Sequence, residues 1–235
     1  MGWTSIALPL TRRALPAPGV VDLWLTDLDD LPLEAGPSGL TRRERVLKRR
    51  IQQQFVLRLL LGSYLKCPGK DVGIVRGERG KPRLAAPLDR SGLQFNLSHS
   101  GGWLAIAVAR DLEVGLDIEG ERQLKRVADL AQRYFSEAEA EWIAGLDGAA
   151  QTQAFLAQWT AREALVKSTG TGLAGALGHI TLEWQPARIR TLPSDWPPAA
   201  DWSLLSPDMP ADLTASLAAP HPNLQLNQYF LQPAR

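Results

Sequence analysis

Two stretches of this 235-residue chain, some forty residues apart, constrain its fold more than anything else in it. The first is Asn96–Glu119, NLSHSGGWLAIAVARDLEVGLDIE, and the second is Trp159-x-x-x-Glu163-x-x-x-Lys167. Alternating apolar residues at Trp103–Val108 and Val114–Ile118 predict two strands joined by a turn at Arg110–Glu113. Asp117 and Glu119 are two apart, so on a strand their carboxylates point to the same side. Trp159, Glu163 and Lys167 are four apart and stack along one stripe of a helix. A strand edge with two carboxylates beside a helix with a Glu and a Lys suits a divalent cation bound next to a phosphate. The plainer alternatives are a solvated strand end and a surface i,i+4 ion pair worth about 0.3–0.5 kcal/mol.

The remaining pattern frames those stretches. Val20–Leu25 reads as a strand, and Arg42–Leu65 as a long helix burying Leu57, Leu60, Leu61 and Tyr64. Pro68-Gly69 ends it; a short strand near Val72–Val75 leads into the turn Arg79-Gly80-Lys81-Pro82. A helix is expected around Leu124–Tyr134. Ser136-Glu-Ala-Glu139 is a capping box that starts another helix, ending at Gly145. Ala154–Ser168 carries Glu163 and Lys167 and stops at the glycines of TGTGLAG. Strands are expected at about His179–Trp184, Ala187–Thr191, Trp202–Leu205, Leu213–Ala218 and Leu224–Leu231. The order of elements is alike in residues 1–118 and 119–235, which suggests an N-terminal and a C-terminal α/β half meeting near Asp117–Arg122.

A chain of this length can bury a real core. The formal net charge of +1 argues against a general nucleic-acid binder. The charge is uneven, however: the run TRRERVLKRR at Thr41–Arg50 is strongly basic, either a solvated helix face or a local anion site. A single cysteine, Cys67, forms no internal disulfide, which favours the cytoplasm. No signal-peptide pattern is read at the N-terminus. No apolar run approaches the roughly 20 residues of a spanning helix, so no membrane role is expected. The three histidines are scattered and do not form a Cys/His metal site.

Two more residues stand out. His99 lies in Leu97-Ser98-His99-Ser100-Gly101-Gly102, read as a tight turn whose backbone amides suit an anion, with the imidazole as a further donor. Lys81, between Gly80 and Pro82, is presented on a stiff turn. TGTGLAG lacks the spacing of a phosphate-binding P-loop. Trp3, Trp24, Trp142, Trp184, Trp196 and Trp202 are read as packing residues.

Taken in order, Gly80-Lys81-Pro82, Asn96-Leu97-Ser98-His99-Ser100, Gly115-Leu116-Asp117-Ile118-Glu119 and Trp159-x-x-x-Glu163-x-x-x-Lys167 resemble the motif set of 4′-phosphopantetheinyl transferases. Length and order resemble the larger, Sfp-type (surfactin-synthetase-activating) branch, over about residues 40–175. The resemblance implies an α/β (α+β) fold, a pseudo-two-fold pair of similar α/β subdomains with coenzyme A in the cleft between them. It implies transfer of the 4′-phosphopantetheine group to a serine of an apo acyl or peptidyl carrier protein, with release of 3′,5′-ADP. Carried over by position, Asp117, Glu119 and Glu163 would hold Mg2+. Lys81, Ser98 and His99 would grip the 3′,5′-ADP end, Arg45 and Arg49 the 3′-phosphate, and Lys167 the pyrophosphate. Glu163 would take the serine proton and Lys167 would stabilise the departing group, with His99 counted among the catalytic side chains. A monomer is expected, as is an acidic carrier partner docking near the Phe135–Gly145 helix under the pull of Lys125, Arg126 and Arg133. Arg162 stands where the family often has lysine, and the basic region for the 3′-phosphate is shorter. The alternatives are another Mg-dependent phosphotransfer enzyme and a non-catalytic coenzyme A or carrier-protein binding module.

Overall fold

A computed structural model describes residues 2–31, 40–120, 124–172, 176–184, 187–210 and 213–233. The strands are β1 (Thr4–Ala7), β2 (Val20–Asp27), β3 (Ile74–Arg76), β4 (Pro82–Leu84), β5 (Leu93–Ser100), β6 (Trp103–Arg110), β7 (Gly115–Gly120), β8 (Thr181–Trp184), β9 (Ala187–Thr191), β10 (Ser203–Leu205), β11 (Leu213–Ala219) and β12 (Gln225–Gln232). The helices are α1 (Arg42–Leu65), α2 (Val127–Tyr134), α3 (Glu137–Ala144) and α4 (Gly148–Thr169).

Local sequence explains where the helices begin and end. Thr41 and Glu44 form a capping box at α1: the Glu44 amide donates to Thr41 Oγ1, and the Thr41 amide donates to Glu44 Oε2 at 2.7 Å. The helix closes at Lys66, which is left-handed at φ 59°. Ser136 and Glu139 form the expected box at α3, and α4 ends on left-handed Gly170.

Two sheets stack between the long helices. The larger has strand order β1-β12-β2-β6-β5, and the smaller β10-β11-β7. Period-two alternation divides the inner strands β2, β6 and β12 of the larger sheet between two cores. On one face Trp24, Leu104, Ile106 and Val108 meet Val56, Leu57, Leu60, Leu61 and Tyr64 of α1. On the other, Val21, Leu23, Leu25 and the alanines 105, 107 and 109 meet Leu116 and Ile118 of β7 and Leu217 of β11. Helix α4 covers the outer side of β7 and β11. Burying each large aliphatic side chain is worth about 1.5–3 kcal/mol, so these layers carry the fold.

The structure revises the sequence reading in its long-range pairings. β7 does not return beside β6; it leaves the larger sheet and pairs antiparallel with β11. The C-terminal strand β12 lies parallel between β1 and β2, inside the sheet of the N-terminal half. A division at 118/119 falls within β7. No helix among the described residues is long and apolar enough to cross a membrane.

Gly115 is the point where β7 touches α4. A Cβ there would lie 1.9 Å from Ala164 O and 2.4 Å from Ser168 N, backbone atoms with no freedom to move aside. Gly115→Ala is therefore expected to push strand from helix, at a cost of about 1–3 kcal/mol or more. Thermal denaturation followed by circular dichroism checks it; a variant melting with the wild type would show that the contact is looser.

Candidate active site

The expected residues converge where two sheet edges face each other. β5 is the edge of the larger sheet and β7 the edge of the smaller. They share no ladder of backbone hydrogen bonds, and side chains join them instead. Asn96, Ser98 and Ser100 alternate along β5 and point at β7. Asn96 Oδ1 accepts the Leu116 amide at 3.0 Å, Ser98 Oγ donates to Asp117 Oδ1 at 2.8 Å, and Ser100 Oγ donates to Glu119 Oε2 at 3.1 Å. The polar period-two pattern at 96, 98 and 100 was the legible signal for this seam.

Helix α4 closes the site from the other side. Lys167 Nζ donates to Asp117 Oδ1 at 2.6 Å and lies 3.4 Å from Ser98 Oγ. Asp117 is buried, and its other oxygen, Oδ2, is buried without a hydrogen-bond partner. Such an orphan is costly unless a cation or a donor meets it. Among the described residues, no three His, Cys, Asp or Glu side chains are drawn into a closed metal-ligand set.

Glu163 is buried one turn before Lys167. Its carboxylate accepts no hydrogen bond from the described residues and borders a cavity of about 290 Å³, shared with Lys81, Asn96, Lys167 and Gly170. Desolvation pushes its pKa above the usual carboxylate value; Lys167 pulls it down, and Asp117 and Glu119 push it up again. The net shift is upward, with burial as the larger cause and the neighbouring Asp117 and Glu119 carboxylates adding to it. Trp159, on the same stripe, packs against Tyr134 and Phe155 and anchors the protein-facing end.

His99 is not in a turn. It is the seventh residue of β5, opposite Leu104, and the turn is Gly101-Gly102. Strand hydrogen bonds extend to Ser100–Trp103 because the two glycines alone make the reversal, so the anion nest expected around His99 has no turn to form it. The exposed imidazole has its pKa held below the usual value, first by desolvation and then by Lys167, against the pull of Asp117 and Glu119; Arg49 adds to the lowering. Arg49 is thus within reach of the site, and its Nη2 pairs with Asp29 Oδ1 at 2.8 Å. Arg45, one turn earlier on α1, is exposed, and its side chain makes no hydrogen bond or ion pair with the described residues.

Lys81 lines the cavity with its stem, but its ammonium is turned away. Nζ donates to Glu113 Oε2 at 2.5 Å, Ser168 O at 2.9 Å and Val114 O at 3.3 Å. Glu113 and Asp29 carry no distinctive spacing and the sequence does not single them out. A second hollow of about 300 Å³ lies beyond Gly172, lined by Arg79, His179, Asp195 and Trp196, and contains none of the motif carboxylates.

Comparison with known proteins gives the family. Residues 113–207 match a family model described as the 4′-phosphopantetheinyl transferase superfamily, and residues 42–111 one described as 4′-phosphopantetheinyl transferase, N-terminal. The transferase HetI of Nostoc sp. is 32% identical over 200 residues, 79% of this chain and 81% of its own. A Synechocystis sp. relative is 31% identical over 209 residues, 84% of this chain and 82% of its own. A 4′-phosphopantetheinyl transferase of Bacillus subtilis is 31% identical over 196 residues, 71% of this chain and 84% of its own. With the two matched spans meeting in the turn between β6 and β7, and with relatives above 30% identical over most of both chains, the chain belongs to the 4′-phosphopantetheinyl transferase family, whose members move phosphopantetheine from coenzyme A to carrier proteins.

Proposed function

We propose that this chain transfers 4′-phosphopantetheine from coenzyme A to a serine of an apo acyl or peptidyl carrier protein, in a magnesium-dependent reaction that releases 3′,5′-ADP. The observation that carries it is the Glu163 carboxylate, buried, without a hydrogen-bond donor among the described residues, and facing the cavity beside Lys167. A carboxylate kept in that state is available to a substrate hydroxyl.

The chemistry divides among the residues already placed. The serine oxygen forms a bond to the β-phosphorus while the bond from that phosphorus to the 3′,5′-ADP oxygen breaks. Glu163 accepts the serine proton, which its upward-shifted pKa favours. Lys167 meets the charge growing on the leaving pyrophosphate oxygen. Arg49 and His99 are the donors for the 3′,5′-ADP end; Ser98 would join them by turning its hydroxyl from Asp117, and Arg45 only by its side chain swinging in from solvent. Asp117 and Glu119, with Glu163, would hold Mg2+, and the orphaned Asp117 Oδ2 fits such a cation. Bound there, the ion would supply charge neutralisation on the pyrophosphate. Magnesium commonly keeps waters and substrate phosphate oxygens in its shell, so a few carboxylates suffice.

Both edges of the seam come from one chain, which supports action as a monomer, and the single cysteine supports action in the cytoplasm. Lys125, Arg126 and Arg133 are exposed near α2 and supply the positive surface for an acidic carrier domain.

Intact mass spectrometry of an apo carrier incubated with the protein, coenzyme A and Mg2+ tests the reading. The expected result is a gain of one phosphopantetheine, abolished by EDTA. No gain across fatty-acid, polyketide and peptide-synthetase carriers, with coenzyme A still bound, would leave a binding module instead.

A further inference from the structure

On the face of the smaller sheet that α4 covers, three rungs of the β7–β11 ladder follow one another: Gly115 opposite Ala218, Asp117 opposite Ser216, and Glu119 opposite Thr214. The first is the rung on which strand and helix touch. The second sets a serine hydroxyl against the carboxylate that carries the orphaned oxygen. Side chains directly opposite on an antiparallel pair have Cβ atoms about 4.5–5.5 Å apart, so a Ser216 hydroxyl rotated toward Asp117 would reach it. It points elsewhere. Ser216 Oγ lies 2.9 Å from Thr160 Oγ1 on α4. Thr160 spends its own proton on Ala157 O at 3.3 Å, so Ser216 is the donor of the bond between the two hydroxyls. Both residues are buried. The Ser216 proton is thereby committed to the helix. Asp117 Oδ1 takes Lys167 and Ser98, while Oδ2 stays buried and unmet.

Resting on the magnesium-dependent transferase reading above, we infer that Thr160 is a positioning residue: by accepting the Ser216 proton it keeps that hydroxyl off Asp117 Oδ2 and leaves the oxygen open to the cation. Without the threonine hydroxyl, the buried Ser216 donor has lost its acceptor, which is costly until it finds another. The carboxylate across the ladder is that other acceptor, and a hydrogen bond to a charged oxygen is among the stronger ones. Oδ2 would then have to release the serine before it met a metal ion. The position of Thr160 suits this task. It lies three residues before Glu163, on the same side of α4, so one turn of helix carries both the carboxylate that would share the ion and the hydroxyl that clears its place. A hydroxyl pair that only joined α4 to β11 would suffer equally from the loss of either member, whereas here only the loss of the acceptor does harm.

Calorimetric titration of coenzyme A in Mg2+ and again in EDTA reads the gain in affinity that the cation brings, and needs neither carrier nor turnover. In Thr160→Val that gain is expected to fall about tenfold, the scale on which outer-shell partners act on metal affinity. Affinity in EDTA is expected to stay within about twofold of the wild type. Thr160→Ser, which keeps the acceptor, and Ser216→Ala, which removes the competing donor, should both keep the wild-type gain. Adding Ser216→Ala to Thr160→Val should restore it. An undiminished gain in Thr160→Val would overturn the inference. So would an equal loss in Ser216→Ala, or no recovery in the double variant, since either makes the pair a structural joint. Thr160→Ala repeats the test should Thr160→Val fail to fold. A wild type whose coenzyme A affinity ignores Mg2+ would instead strike the magnesium reading itself, and the inference with it.

Discussion

Replacing Glu163 with glutamine is expected to lower kcat for carrier modification by about 10²- to 10⁴-fold, the range for loss of a general base. The substitution keeps shape and removes the charge. It also removes a like charge from beside Asp117 and Glu119, whose proximity helps push the Glu163 pKa up. The melting temperature is therefore expected to stay at or above that of the wild type. Activity falling while stability holds is the pattern of a residue kept for chemistry at the expense of the fold. Affinity for 3′,5′-ADP is expected to change little, because Arg49 and His99 remain. Single-turnover assays with saturating Mg2+ and coenzyme A check this. A Glu163→Gln enzyme that modifies carrier at the wild-type rate would move the base to another residue.

How much of this was legible in the chain depends on the range of the contact that decides it. The bounds of α1 agree with the sequence reading because its capping box and its apolar stripe are local signals. The Ser136–Glu139 box and the glycine stop after α4 were read for the same reason. β1 was not foreseen: four residues, pairing with a strand more than two hundred positions away, leave no pattern of their own. Nor does anything in β12 say that it lies between β1 and β2. Among site residues, period two on β7 and period four on α4 placed Asp117 and Lys167, which the structure joins directly. The sequence reads His99 as part of a turn because the glycines that follow it mask the end of the strand. The partners of the cations were invisible altogether. Asp29 on Arg49 and Glu113 on Lys81 are fixed by tertiary packing, and neither acid differs in sequence from a solvated one.

The largest structural effect is expected one residue from the base. Arg162, where the family often has lysine, is fully buried, and so is its partner Glu139 at 2.5 Å. Its fork reaches Gln158 through Nη1 and Glu139 and Ile180 O through Nη2, while its carbon stands 4.2 Å over the Phe135 ring. The other Glu139 contacts are the Leu182 amide and the Ser136 cap, so one ion pair ties α3, α4 and β8 together. Removing one member of such a pair leaves the other charged and buried, which costs about 3–5 kcal/mol. Arg162→Met is thus expected to lower the melting temperature by on the order of 10 °C. Lysine in its place keeps the charge but cannot form the fork, and should recover only part of the loss. Burial alone pushes the Glu139 pKa up, but Arg162, Ser136 and the Leu182 amide outweigh it and hold the carboxyl below its usual value. A lowered folded-state pKa contributes stability above the ordinary glutamate value and loses it as pH falls through the folded one. Glu139→Gln should accordingly be less stable at neutral pH and lose less stability on acidification than the wild type. Melting curves from pH 7 to pH 3 decide it: parallel acid profiles for the variant and the wild type would mean that this buried pair does not hold α4, and with it Glu163, in place.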